Sequence, residues 1–332
     1  MKIDIHTHFI PPYIVEDARA GRAVDGLRTE MRGDQEWMVH RQGYQYPLEG
    51  AFWRPEAKLA HMDSLGIDVS VLSIAPTMMF HWLSLEEAVA FCRRTNDAMA
   101  DLATQTHGRL RGLATLPMQD PQAAVAELKR AVEEKGLLGA LIGSSIEGTP
   151  LDSERFAPFL SGVDALNVPL LLHPYDKQVR QRTDLADFYM SNLIGIPLET
   201  TLAASRLILS GTFDRLANLT IVLMHAGGFM PYQVGRLDHG YRVRPETRAR
   251  IANPPSSYLN RFVFDTITHH PQRLRSLVEW VGVDQVVLGT DIPFDMADVR
   301  FDTYYEAAGF DAATKAAVYG GNARRIFRLE ES

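Results

Sequence analysis

Eight short apolar runs punctuate the chain, and none is long enough to be a helix. They are Ile3–His6, Val69–Ile74, Leu110–Leu116, Gly139–Gly143, Val168–His173, Leu219–His225, Arg261–Thr266 and Gln285–Thr290. Most are rich in Val, Ile and Leu without polar alternation, as parallel strands covered on both faces must be. Amphipathic stretches lie between them. Ser84 followed by Glu87 reads as a capping box opening a helix towards Thr104. Further helices are expected over Pro121–Glu134, Asp152–Leu166, Ser191–Phe213 and Pro271–Val281, and over Asp311–Arg325 with an interruption at Gly320-Gly321. Eight strands alternating with helices predict an α/β chain closed into a TIM-like (β/α)₈ barrel. An open doubly wound sheet gives a similar string, but no Gly-x-Gly-x-x-Gly follows the first run, which disfavours its dinucleotide-binding form.

One segment breaks the alternation. Between His8 and Pro55 no long helical pattern occurs, whereas Glu36–Leu48 carries aromatic and β-branched residues around Arg41-Gln42-Gly43. This predicts an insertion, about residues 9–55, with a small hairpin. On a barrel it would cover the C-terminal mouth, where chemistry is built. At 332 residues the chain has room for two domains, yet one barrel domain over 1–332 with this insertion fills it.

Charge and cysteine content narrow the partners. Lys plus Arg number 34 against 41 Asp plus Glu, a net charge of −7. Nucleic acid and anionic membranes call for a positive field, so neither is expected, and a small molecule is. Cys92 is the single cysteine, in the apolar stretch Ala88–Cys92, and reads as a packed thiol. Cysteine metal sites are thereby excluded, and a zinc-like ion would need His, Asp or Glu. The N-terminus has no signal-peptide pattern, so the expected compartment is the cytoplasm.

His6 and His8 flank Thr7 at the end of the first run. Residues i and i+2 of a strand share a face, so both imidazoles can converge on one point. Three other runs end in similar groups: His173-Pro174, His225-Ala226-Gly227-Gly228 and Asp291-Ile292-Pro293-Phe294. Each alone could be a strand boundary; on a barrel, all four surround one axial site. With His6, His8, His173 and Asp291 as ligands, a divalent ion such as zinc keeps an open position, and His225 is left over as an acid/base group. Gly227 and Gly228 suggest a tight turn or a close backbone approach. Phe294 either lines a pocket or packs in the core. Arg242, Arg244, Arg248 and Arg250 read as a solvated face.

These motifs carry a resemblance. Asp4-Ile5-His6-Thr7-His8, Gly112–Gln119, His173-Pro174-Tyr175-Asp176, Ser210–Arg215, His225–Gly228, Gly235-Arg236 and Leu288–Phe294 together resemble the amidohydrolase superfamily, in its branch of muconate-semialdehyde-type decarboxylases. The resemblance implies a distorted barrel holding one divalent ion, commonly zinc and alternatively manganese. It implies His6, His8, His173 and Asp291 as ligands, with Asp291 and His225 in the chemistry. It also implies a homodimer in which Arg236 reaches the neighbouring subunit's site to hold a substrate carboxylate, with Phe294 beside the substrate. Binuclear relatives often carry a modified Lys at the fourth strand end; Leu141–Ser145 has none, so one metal is expected.

The implied activity is decarboxylation of a small unsaturated or aromatic acid. A hydrolase or hydratase of a lactone, amide or related small carboxylate, built on the same ligands, is the alternative. One departure bears on substrate: Glu49 stands where the related decarboxylase has an arginine before Trp-x-Pro, here Trp53-Arg54-Pro55. A carboxylate there would repel a dianion, and Arg54 or Arg41 could replace the guanidinium.

Overall fold

The computed structural model describes residues 1–175 and 179–329. Thirteen strands are found among them: β1 (Ile3–His8), β2 (Arg28–Arg32), β3 (Gln35–Val39), β4 (Gln45–Pro47), β5 (Val69–Ser73), β6 (Leu110–Gly112), β7 (Ala140–Ile142), β8 (Ser145–Ile146), β9 (Thr149–Pro150), β10 (Leu170–Leu172), β11 (Ile221–Leu223), β12 (Phe262–Asp265) and β13 (Val286–Val287). β1 pairs in parallel with β5, and β5 with β6. β7, β10, β11, β12 and β13 form a second parallel series in that order. Parallel bridges Ala114↔Ala140 and Thr7↔Ile292 join the two series at both seams. Eight parallel strands thus close into a ring, as the alternation of apolar runs predicts.

Alternate strand residues face opposite ways, and both faces are apolar. Leu141, Leu171, Val222, Val263 and Val287 share one buried cluster. Their neighbours Leu170, Leu172, Ile221, Leu223, Phe262 and Phe264 pack in another with the helical Phe159, Leu207 and Leu277. Each such side chain contributes about 1.5–3 kcal/mol on burial.

Helices Leu85–Gln105, Pro121–Glu133, Ala157–Leu166, Ile196–Leu209 and Pro271–Val281 lie where the periodicity puts them. The Ser84–Glu87 capping box is formed in both directions. The last helical stretch does not break at Gly320-Gly321 but runs through a π turn, Ala317–Gly321, into Asn322–Phe327. Beyond the insertion, three helices escape the pattern: Pro55–Ser64, Met230–Val243 and Phe301–Ala308. The first buries Lys58 and Met62, so a charged residue occupies the inward stripe and disguises it. The second holds Gly235 and Gly240 and buries only Met230 and Val234.

The segment after β1 is richer than a hairpin. A short helix, Pro12–Arg19, precedes an antiparallel sheet β2-β3-β4, with Arg28↔Val39 and Val39↔Gln45 in register. The expected turn around Arg41-Gln42-Gly43 links β3 to β4. Met38, Tyr46, Leu48 and Phe52 bury against Ile10 and Ile14, which seats the insertion on the strand ends. Among the described residues, no helix is long and apolar enough to cross a membrane.

Candidate metal centre

Two ligand positions depend on an irregularity in β1. Its pairing with β5 shifts register between Asp4 and Thr7. Ile3 and Ile5 join the inner apolar cluster, and without the shift His6 would turn outward, because strand side chains alternate. Instead His6 and His8 both face inward, while the intervening Thr7 hydroxyl meets the Lys58 ammonium on the outer side. His173 lies two residues beyond Leu171, and Asp291 lies beyond the short β13. The donor atoms of His6, His8, His173 and Asp291 lie within 4.8 Å of one another, and all four residues are buried.

Each histidine is turned by a partner on its other nitrogen. His6 Nδ1 is 2.6 Å from Asp265 Oδ2. His8 Nδ1 is 2.9 Å from Ser73 Oγ and 3.3 Å from the Ile74 carbonyl. His173 Nδ1 is 2.6 Å from the Pro174 carbonyl. With Nδ1 engaged, Nε2 is left to a ligand, the arrangement that fixes tautomer and ring orientation in histidine metal sites.

His8 Nε2 and His6 Nε2 stand 2.9 and 3.4 Å from Asp291 Oδ1. Yet both nitrogens and that oxygen are buried without hydrogen-bond geometry to any described group. Buried polar atoms are rarely left so, and a shared cation satisfies all of them. Burial holds His8 at about 4 and His173 well below its ordinary pKa. Burial would raise Asp291, but His6, His225 and His8 outweigh it and keep the carboxyl ionised. Burial would lower His6, but Asp291 and Asp265 outweigh it and raise it; imidazole nitrogens around a carboxylate are the donor set a first-row divalent ion takes.

His225 sits at the rim, its ring centroid 5.0 Å from His6 and 4.9 Å from His173. Its Nε2 is 3.8 Å from Asp291 Oδ2, and its buried Nδ1 has no hydrogen-bond partner among the described residues. The turn after it is tight, with positive φ at His225, Ala226, Gly227 and Gly228. A Cβ at Gly228 would lie 2.2 Å from the Pro197 carbonyl oxygen, so the glycine answers to both turn and close approach.

Asp265 is the residue sequence reasoning missed. It is fully buried at the end of β12. Besides holding His6, its carboxylate accepts from the backbone N–H groups of His225, Ala226 and Ile267 at 2.8, 2.6 and 3.0 Å. One carboxylate therefore orients a ligand and anchors the His225 turn. Gly289 makes room for it: a Cβ there would lie 2.8 Å from both Asp265 Cβ and His6 Cβ. The signal was present, because the run Phe262-Val263-Phe264 ends in an acid just as other runs end in His or Asp.

Lys58 is equally hidden. Its ammonium donates to Thr7 Oγ1 and, at 3.2 Å each, to the His8 and Ile292 carbonyls. It clamps the seam from which His8 and Asp291 emerge.

A cavity opens beside the cluster, walled by His173, His225, Asp291, Tyr44, Asn192 and Phe294 among others. Phe294 serves in both expected ways: it lines the cavity and packs edge-on to Phe52 and Tyr46, with centroids 5.0 and 5.5 Å away. Among the described residues, no lysine or arginine lines the cavity. Glu49 is exposed and lies outside the lining, so the expected repulsion of a dianion does not arise from it. Arg41 and Arg54 are exposed too and do not replace the guanidinium: Arg41 leans to Asp25 at 3.8 Å, and Arg54 to the Trp53 ring. Arg236 lies on the exposed side of Met230–Val243, away from the cavity lining of its own chain. Asp176 lies outside the described residues.

A family model described as amidohydrolase matches residues 3–329. The chain belongs to this family. Its amidohydrolase barrel is 31% identical to the 2-amino-3-carboxymuconate-6-semialdehyde decarboxylase of Dictyostelium discoideum, over 99% of this chain and 92% of that protein. It superimposes on the 5-carboxyvanillate decarboxylase of Sphingomonas paucimobilis with a TM-score of 0.84 and 28% identity, covering 99% of each chain. A dihydroxybenzoic acid decarboxylase from Polaromonas sp. JS666, solved with manganese and the inhibitor 2-nitroresorcinol, matches at TM-score 0.78 and 25% identity over 100% of this chain and 98% of that one.

Proposed function

We propose that this amidohydrolase is a metal-dependent decarboxylase of a small aromatic or unsaturated carboxylic acid. The observation that carries the reading is the four-ligand cluster, drawn within 4.8 Å, in a chain that resembles decarboxylases along its length. The hydrolase reading uses the same ligands, and the likeness favours decarboxylation over it. His6, His8, His173 and Asp291 would hold one divalent ion, zinc or manganese; a manganese-bound relative supports the second. Bound there, the ion supplies Lewis acidity that polarises a substrate oxygen.

The protein's own groups do the rest. The carbon–carbon bond to the carboxyl group breaks, CO₂ leaves, and its electron pair stays on the ring or alkene carbon. His225, at the cavity wall, delivers a proton to that carbon, a task suited to an imidazole at neutral pH. Asp291 faces His225 Nε2 and steadies it when protonated. Phe294 and Tyr44 supply flat walls for an unsaturated substrate and keep water off the carbon. Residues 1–332 act as one barrel domain, with residues 9–55 covering the mouth.

The protein acts as a homodimer, and Arg236 reaches its partner's cavity to hold the carboxylate. Two features support this: among the described residues no lysine or arginine lines the cavity, and Arg236 makes no hydrogen bond or ion pair with a described residue. Tyr232, one turn earlier on the same helix, is 81% exposed, as an interface aromatic would be in an isolated chain.

The deciding assay follows CO₂ across a panel of aromatic and unsaturated acids with the metal-loaded protein. Release of CO₂ that stops on chelation and returns with manganese or zinc is expected; acid release without CO₂ from lactones or amides would overturn the reading. For the dimer, mixing inactive Arg236→Ala with inactive His225→Ala chains should restore about a quarter of the activity, because mixed dimers hold one intact site. No recovery in verified mixed dimers would remove Arg236 from the site.

A further inference from the structure

The metal cavity has an annex. A small recess, with room for little more than one water-sized group, shares Tyr44, Pro76 and Thr77 with it and is closed by His40, Trp82 and Tyr175. His40 stands at the end of β3 in the insertion and is 3% exposed. Its Nε2 is buried with no hydrogen-bond partner among the described residues.

Of the other polar side chains around the recess, Thr77 is likewise buried with its Oγ1 unpartnered among the described residues, and the rest are committed. Gln42 Nε2 and Trp82 Nε1 both donate to Asp25 Oδ2. The Tyr175 hydroxyl donates to Glu147 Oε1 at 3.2 Å. The His40 nitrogen and the Thr77 hydroxyl are thus unanswered polar atoms in a wall made mostly of rings and a proline, and such atoms are costly unless something meets them. Among the described residues no lysine or arginine lines the recess, so a carboxylate entering it would lose water without gaining a counter-charge from them. Burial drives the His40 pKa down to about 3, so the ring is neutral and offers no charge to an anion either.

We propose that the annex is a specificity subsite in which His40 Nε2 exchanges a hydrogen bond with an uncharged hydroxyl carried by the substrate on the side away from its reacting carboxyl group. The insertion would then select among carboxylic acids by their second substituent, while the metal and His225 act on the first. A hydroxyl suits the site because it serves either tautomer of a neutral imidazole, donating to one and accepting from the other. It is also small enough for the recess, while Tyr44 and Pro76, which line the metal cavity as well, flank the flat carbon skeleton that bears it.

The inference rests on the cavity being a carboxylic-acid site, and binding rather than turnover separates the two. Calorimetric titration of the metal-loaded protein compares benzoate, 3-hydroxybenzoate and 4-hydroxybenzoate. The ortho isomer is left out because its oxygen would lie beside the metal. One of the two hydroxy acids should bind about tenfold tighter than benzoate, the worth of one sheltered hydrogen bond. His40→Phe should abolish that advantage and leave benzoate affinity and metal content within about twofold, and His40→Gln, which keeps a polar end, should restore part of it. An undiminished hydroxyl advantage in His40→Phe, or none in the native protein, overturns the annex alone. Failure of all three acids to bind the native protein overturns the annex together with the carboxylic-acid reading beneath it.

Discussion

The strand ends and the insertion contribute to one cavity by opposite means. At the strand ends polar groups are buried and held more than once: Asp265 meets His6 and the His225 turn, and Lys58 ties the His8 and Ile292 carbonyls. In the insertion, charges face solvent, as in the Arg19–Glu36 pair at 2.6 Å and Arg28 and Arg32 on Glu30. The inner wall it presents, Tyr44 with His40 behind it, leans on ring contacts. A buried polar network tolerates little change, because every lost partner strands another group. A loop sheet with solvated charges tolerates much. The same metal chemistry can therefore persist while substrate preference drifts.

The contrast breaks first at the ligands. His173→Ala should lose the ion and about a thousandfold or more in turnover, the scale of several kcal/mol of charge stabilisation. His225→Ala should keep the ion while losing about 10²–10⁴-fold. Elemental analysis beside kcat separates the pair, and metal loss in the second variant would make His225 a ligand. Asp265→Asn comes next, with metal affinity reduced about 10–100-fold as for other partners of ligating histidines. Competition with a metallochromic chelator measures it, and unchanged affinity would reduce Asp265 to a structural carboxylate. The smallest effect belongs to the insertion's surface. Arg19→Ala should cost at most about 1 kcal/mol in thermal unfolding, with metal content and turnover unaltered; a loss of metal would show that the two regions are not separable.

What could be read in advance follows the same divide. Barrel strands were legible because burial on both faces leaves unbroken Val, Ile and Leu, and His6, His8, His173 and Asp291 were legible because each closes such a run. Asp265 closes a run too, but a lone acid at a strand end does not say which nitrogen it meets. The helix Pro55–Ser64 was hidden because its inward residue is Lys58, whose ammonium is answered by the Thr7 hydroxyl and by the His8 and Ile292 carbonyls. Glu49 misled through linear alignment: its place near Trp53 says nothing of where it points, and it points to solvent. Arg236 is the reverse case, since no hydrogen bond or ion pair with a described residue explains it.

The register shift in β1 and the seam beside it bear on how the protein matures. Residues 6 and 8 come from the first barrel strand and residue 291 from beyond the last, so an ion held by all of them staples together segments made at opposite ends of synthesis. Such a staple closes one of the longest loops the polypeptide offers, where cross-links restrain an unfolded ensemble most. Ion uptake should accordingly be a late event that rewards only chains whose ring has closed, making bound metal a quality mark of completed folding as well as a reagent.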